Sequence, residues 1–143
     1  MGVTGSIPVR STFDQQNITH LGDKKGEILS AQTNAVKAFV DGYLNRDLEM
    51  FRRFIHPEMI WFKTDGTTQI EGSEAFFELI QNSWRNNPNL KNVSSECLQI
   101  GNIVTHAETF SGYEDGRTEK WIWVYEFLGE QIIKMYGFQP TGN

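Results

Sequence analysis

One cysteine, Cys97, occurs in 143 residues, so an internal disulfide is excluded and a reducing compartment is the default expectation. No apolar run approaches the roughly 18–20 residues that a membrane-spanning helix needs. The opening Met1-Gly2-Val3-Thr4-Gly5-Ser6-Ile7-Pro8 lacks the apolar stretch of a secretory leader. Together these predict a soluble, cytoplasmic chain with no membrane partner. Basic residues are outnumbered, 13 Lys and Arg against 18 Asp and Glu, for a net charge of −5, and they form no stripe. Nucleic acid is therefore not an expected partner, because binding it depends on neutralising phosphates. There is no glycine-rich phosphate loop, so no nucleotide cofactor is expected. The three histidines show neither HxH nor HxxxH spacing, so no metal site is expected. Internal repeats and low-complexity tracts are absent too.

What is present is aromatic. Four Trp and ten Phe must be buried somewhere, and a lined cavity is one place that uses them. The length fits one domain with a real core. Residues 1–26 mix Gly, Ser, Thr, Asp and Gln without a period and read as an irregular arm, followed by a domain over 27–143. Ile28, Gln32, Ala35/Val36, Phe39/Val40 and Tyr43/Leu44 mark one helical stripe. Asn45 closes that helix, and Asp47 caps a second carrying Leu48, Phe51, Phe54 and Ile55, which Pro57 ends. Met59–Lys63 reads as a strand before an Asp65-Gly66 turn. Ser73 caps a third helix bearing Phe76/Phe77, Ile80 and Trp84, stopped at Asn86-Asn87-Pro88. Gly101-Asn102, Asp115-Gly116 and Gly129-Glu130 then punctuate a four-strand meander. The fold class is α+β: a cone-shaped, curved antiparallel sheet packed on three N-terminal helices and enclosing a pocket.

If each turn is a two-residue loop, Ile100 faces Ile103, Glu114 faces Arg117 and Leu128 faces Gln131. One face then carries the rows Cys97–His106–Tyr125–Lys134, Ser95–Glu108–Trp123–Tyr136 and Val93–Phe110–Trp121–Phe138. The other carries Ile103, Thr105, Ala107, Lys120, Ile122, Val124, Ile133 and Met135. A bulge in any strand would flip the faces beyond it. Exposing Trp121 and Trp123 together is the costlier arrangement, so the aromatic face is expected to look inward. The aliphatic outer face would favour a homodimer.

The segment Phe54-Ile55-His56-Pro57-Glu58-Met59-Ile60-Trp61, within this element order, resembles the nuclear transport factor 2-like superfamily. Thr105-His106-Ala107-Glu108-Thr109-Phe110-Ser111-Gly112, followed by Asp115-Gly116-Arg117, looks like its SnoaL-like polyketide cyclases. The resemblance runs from about Ile28 to Gln139. It implies the fold well and the reaction weakly, since one scaffold hosts isomerases, hydrolases, dehydratases, cyclases and non-enzymes. The positions matching the Tyr and Asp of the steroid isomerases are Phe39 and Lys63, which argues against that chemistry. Those matching the Arg, Asp and Asp of limonene-epoxide hydrolases are His106, Glu108 and Tyr136, an echo with two of three types replaced. The cyclases pair a strand His with an acid on the next strand. His106 matches the first and Glu119 lies nearest the second, although the expected register leaves Glu119 at the rim.

His106 and Glu108 alternate onto one face roughly 7 Å apart, and such a pair can act as base and acid near neutral pH. The competing reading is a structural polar pair. Tyr136 would donate to an oxygen gaining charge, or simply be wall. Trp61, Trp121, Trp123, Tyr125, Phe110, Phe138 and Phe39 would bound the substrate, with Lys63 and Lys134 available to an acidic group. His56 reads as a structural turn residue, His20 carries no assignment, and Cys97 reads as an inert buried thiol. The expected function is cofactor-free acid/base catalysis on a small hydrophobic molecule: cyclisation, isomerisation, dehydration or epoxide hydration. The alternative is a non-catalytic binding or dimeric assembly module.

Overall fold

A computed structural model describes residues 31–140. The expected N-terminal arm and the first residues of the first helix lie outside the described residues. Helix α1 covers 31–45 and buries Gln32, Ala35, Val36, Phe39 and Tyr43, the stripe that the spacing predicts. It ends where Arg46 takes a positive φ of 60°, one residue beyond the expected Asn45. Asp47 caps α2, Leu48–Phe54, by accepting from the Met50 backbone N–H.

Strand β1, Ile55–Phe62, follows at once and includes His56 and Pro57. His56 accepts from the Glu58 amide through Nδ1 at 3.0 Å. Strand β2, Thr68–Glu71, pairs antiparallel with β1 across the Asp65-Gly66 turn. The sequence reading missed β2 because this short edge strand is mostly exposed and lacks an alternating pattern. Helix α3 runs Ser73–Asn86; Gly72, at φ 88°, holds the cap position expected of Ser73. Then come β3 (Lys91–Ser94), β4 (Leu98–Ile100), β5 (Ile103–Ser111), β6 (Glu119–Leu128) and β7 (Gln131–Phe138).

The sheet order is β2-β1-β7-β6-β5-β3, with β4 sharing the edge of β5. The expected all-antiparallel sheet is in fact mixed, because β1 and β7 run parallel. No local signal reveals that pair, since it is closed by most of the chain. No helix among the described residues is long and apolar enough to cross a membrane.

Three features set which side chains face the helices. Glu114 does not face Arg117; instead Phe110 pairs with Glu119, and residues 112–118 form a loop. That loop is tied down by Glu114 N–H on the Asn87 side chain, 3.0 Å. Gly112, at φ 91°, passes so close to Asn89 that a Cβ would lie 2.0 Å from its carbonyl oxygen. The resulting slip is two residues, so parity survives and His106, Glu108, Phe110, Trp123 and Tyr125 are buried as expected.

The other two features are one-residue bulges, and each flips a face. Ser94 pairs with Glu108 and Leu98 with Thr105, so four steps on one side oppose three on the other. Asn92 and Ser94 therefore turn inward, and Val93 is 69% exposed. In β7, Ile132 pairs with Phe127 but Lys134 with Glu126, which leaves Ile133 as the extra residue. Met135 and Gly137 thereby face the core, and Lys134, Tyr136 and Phe138 face out.

Candidate functional site

Between the sheet and helices α1 and α3 lies a partly open cavity of about 240 Å³. Phe39 and Tyr43 of α1 and Phe76, Leu79 and Ile80 of α3 form its roof. The sheet contributes Trp61, Glu108, Phe110, Trp121, Trp123 and Met135, while Tyr113, Arg117 and Glu119 stand at the more exposed end. Trp121 and Trp123 stack with centroids 4.8 Å apart and planes 8° apart. They lie over Gly137, where a Cβ would approach Trp123 to 2.6 Å and Trp121 to 2.9 Å. The missing side chain on β7 is what lets two indoles pave the wall.

Glu108 is 4% exposed. One carboxyl oxygen, Oε2, accepts from Asn92 Nδ2 at 2.5 Å, and the same amide reaches the Val40 carbonyl at 3.3 Å. The other oxygen has no protein donor among the described residues. Burial pushes the Glu108 carboxyl up to about 7 against the pull of Asn92 and Trp123. The Trp123 Nε1–H is buried near it but meets no acceptor in hydrogen-bonding geometry, so its pull is the weaker of the two. The result is an acid divided between its two forms at neutral pH.

Glu119 has the opposite environment. Burial raises it, but donors outweigh that: Arg117 Nε at 2.9 Å, Trp121 Nε1 at 3.2 Å and the Tyr113 hydroxyl at 2.9 Å hold it ionised. Arg117 lies 3.8 Å above the Tyr113 ring and also pairs with Asp115 at 2.5 Å. With three donors on it, Glu119 holds Trp121 and Tyr113 in place rather than accepting a proton. It lines the more exposed end of the cavity, where the loop slip sets it opposite Phe110.

Of the residues expected at the site, Glu108, Trp61, Trp121, Trp123, Phe110 and Phe39 come together around the cavity. The remainder do not. His106 faces inward but lies behind the wall, its Nδ1 2.5 Å from Ser94 Oγ and its Nε2 2.9 Å from the Tyr125 hydroxyl. Tyr125 is fully buried and its hydroxyl meets no other acceptor among the described residues, so it donates to Nε2. Nδ1–H then donates to Ser94, whose own hydrogen goes to the Ser95 carbonyl, 2.9 Å away. Burial lowers His106 to about 4, and this neutral ring is a structural link rather than Glu108's partner. Tyr125 sits one step deeper than Trp123. Tyr136, turned outward by the Ile133 bulge, stacks on Phe62 at 5.1 Å. Phe138 follows it to the surface, 37% exposed, and Lys134 lies on the same outer face. Lys63 is exposed beyond the end of β1. Cys97, half-buried with its thiol pushed up by burial, does not face His106, which takes Ser94 instead.

Two residues that sequence reasoning missed matter. Asn92 was hidden by the bulge. Tyr43 was legible, one helical turn beyond Phe39 on the same stripe; its hydroxyl makes no hydrogen bond among the described residues and lies close enough to Glu108 to feel its charge. No group of three His, Cys, Asp or Glu side chains among the described residues is arranged to hold a metal ion.

A curved sheet closed by helices over an aromatic cavity with a buried acid defines a nuclear transport factor 2-like fold. Within it, the chain belongs to the SnoaL-like domain family, whose model matches residues 36–135. Similar solved structures include a cystatin-fold protein from Novosphingobium aromaticivorans (17% identity, 75% of this chain and 97% of that one, TM-score 0.68). A SnoaL-like polyketide cyclase candidate from Jannaschia sp. CCS1 is 15% identical over 78% and 87%, TM-score 0.67. IdmH, a proposed polyketide cyclase from Streptomyces antibioticus, is 14% identical over 76% and 91%, TM-score 0.66. These likenesses extend to the fold. No curated protein matches the sequence.

Proposed function

We propose that this chain is an acid/base catalyst acting on a small, mostly hydrophobic molecule in the aromatic cavity, with Glu108 as the proton carrier. The observation that carries the reading is the Glu108 carboxyl itself: held by Asn92 on one oxygen, without a donor among the described residues on the other, and raised to about 7 by burial among aromatic walls. A group that titrates near neutrality transfers protons in both directions at little cost. Its carboxylate would take a proton from the substrate, and the resulting acid would return it at another atom. The Tyr43 hydroxyl, in the cavity wall, would donate to an oxygen gaining negative charge, the part that Tyr136 cannot play from the outer face. The proposed polyketide cyclases among the structural neighbours make cyclisation the first reaction class to test.

The test is a pH–rate profile on the best substrate from a screen of aromatic and polyketide-like carbonyl compounds. A transition near pH 7 that disappears in Glu108→Gln is the expected result. Binding without turnover across the screen would instead favour a non-catalytic module. The outer face supports an assembly role for either reading: Ile122 is 51% and Leu98 62% exposed, and this apolar face suits a homodimer.

A further inference from the structure

The charges lining the cavity restrict what can enter it, an inference that rests on the cavity being the ligand site but not on turnover. Among the described residues three charged side chains line it: Glu108, Glu119 and Arg117. Arg117, the cation of that set, is doubly engaged by Asp115 and Glu119. Behind the wall, Arg46 donates to the carbonyls of Tyr43, Pro88 and Leu90. The lysines expected to receive an acidic group, Lys63 and Lys134, are not in the cavity wall. Among the described residues no cation is left to receive an anionic ligand, whereas Glu108, almost fully buried, keeps one oxygen without a donor from them.

The walls agree with this asymmetry. Trp61 stands at 63° to Trp123 and 68° to Trp121, with centroids 5.4 and 6.3 Å away. The parallel Trp121–Trp123 pair forms the other side of the corner. Indole faces carry partial negative charge and attract cations, most strongly where water is excluded. An ammonium in that corner would also donate to the free Glu108 oxygen, compensating a charge that is otherwise buried with a single donor.

We propose that the cavity binds an organic monocation, a flat one- or two-ring system bearing a protonated amine, and rejects the carboxylate of the same shape. The size follows from volume: a cavity of about 150 Å³ holds benzene, and this one measures about 240 Å³. A bound ammonium would keep Glu108 ionised, the form in which it accepts a proton.

The test titrates the ¹⁵N-labelled protein at pH 8 with 2-naphthylmethylammonium, 2-naphthalenemethanol and 2-naphthoate, following the indole N–H signals. The ammonium should bind at least about tenfold tighter than the alcohol, and the naphthoate at least about tenfold weaker. In Glu108→Gln the ammonium and the alcohol should converge. Equal affinities in the wild type, or a naphthoate that binds as well as the ammonium, would overturn the charge selectivity while leaving the cavity a ligand site. Failure of all three to move any indole signal would remove the ligand site itself, and both proposals with it. The wild-type ranking decides the matter even if the variant does not fold.

Discussion

Replacing Glu108 with Gln should stabilise the protein, and by an amount that depends on pH. The carboxyl has an ordinary value of 4.5 and titrates at about 7 in the fold. Below pH 4.5 it is protonated in folded and unfolded states alike and makes no difference. Between 4.5 and 7 the unfolded chain releases its proton first, so wild-type stability falls as pH rises. Above 7 the cost is complete, about 3 kcal/mol. Gln keeps an oxygen for Asn92 and carries no charge, so Glu108→Gln escapes this loss. The two proteins should unfold alike near pH 4.5, differ by about 2 kcal/mol at pH 6 and by about 3 kcal/mol at pH 8 and above. At about 2–4 °C per kcal/mol for a chain of this size, the melting temperature should rise by roughly 6–12 °C at pH 8. Urea unfolding followed by tryptophan fluorescence, run on both proteins across this range, measures the difference directly. An offset that does not change with pH would refute the reasoning, and so would a variant less stable than wild type at pH 8. Either result would make Glu108 an anchor of the fold rather than an acid held there at a cost.

Two further outcomes follow from the same geometry. His106 is lowered to about 4 from an ordinary 6.5, so stability should fall as pH drops from 6.5 towards 4, by up to about 3 kcal/mol. His106→Gln should flatten that acid limb in urea unfolding while leaving the Glu108 limb in place. Gly137→Ala should destabilise by about 1–3 kcal/mol, since its methyl group meets both stacked indoles; a shift in near-ultraviolet circular dichroism would show that Trp121 and Trp123 have moved.

The inward aromatic face of β5 and β6 was legible in the sequence because strict alternation holds over both strands and the loop between them slips by an even number. The Gly101-Asn102 and Gly129-Glu130 turns fixed the near ends of their hairpins, where Ile100 faces Ile103 and Leu128 faces Gln131. What escaped were single-residue events. The bulges before Leu98 and at Ile133 leave no compositional mark, since neither contains the glycine that announces some bulges. Their consequences were large: Asn92 in place of Val93 and Ser95, Met135 and Gly137 in place of Tyr136 and Phe138. Alternation gives His106 its inward face but not its depth behind the cavity wall, because a period of two says nothing of how far along a strand the cavity extends.

The Ile133 bulge means that the sequence of β7 encodes two different linings one residue apart. In one register Met135 and Gly137 face the cavity and leave room for paired indoles; in the other, Lys134, Tyr136 and Phe138 would fill it with bulk, a hydroxyl and a cation. Insertion or deletion of a single residue there would exchange one lining for the other at a stroke, with no substitution at any cavity position. For a scaffold that carries unrelated reactions, a change of strand length is thus a route to a new interior that comparison of aligned residue types would not register.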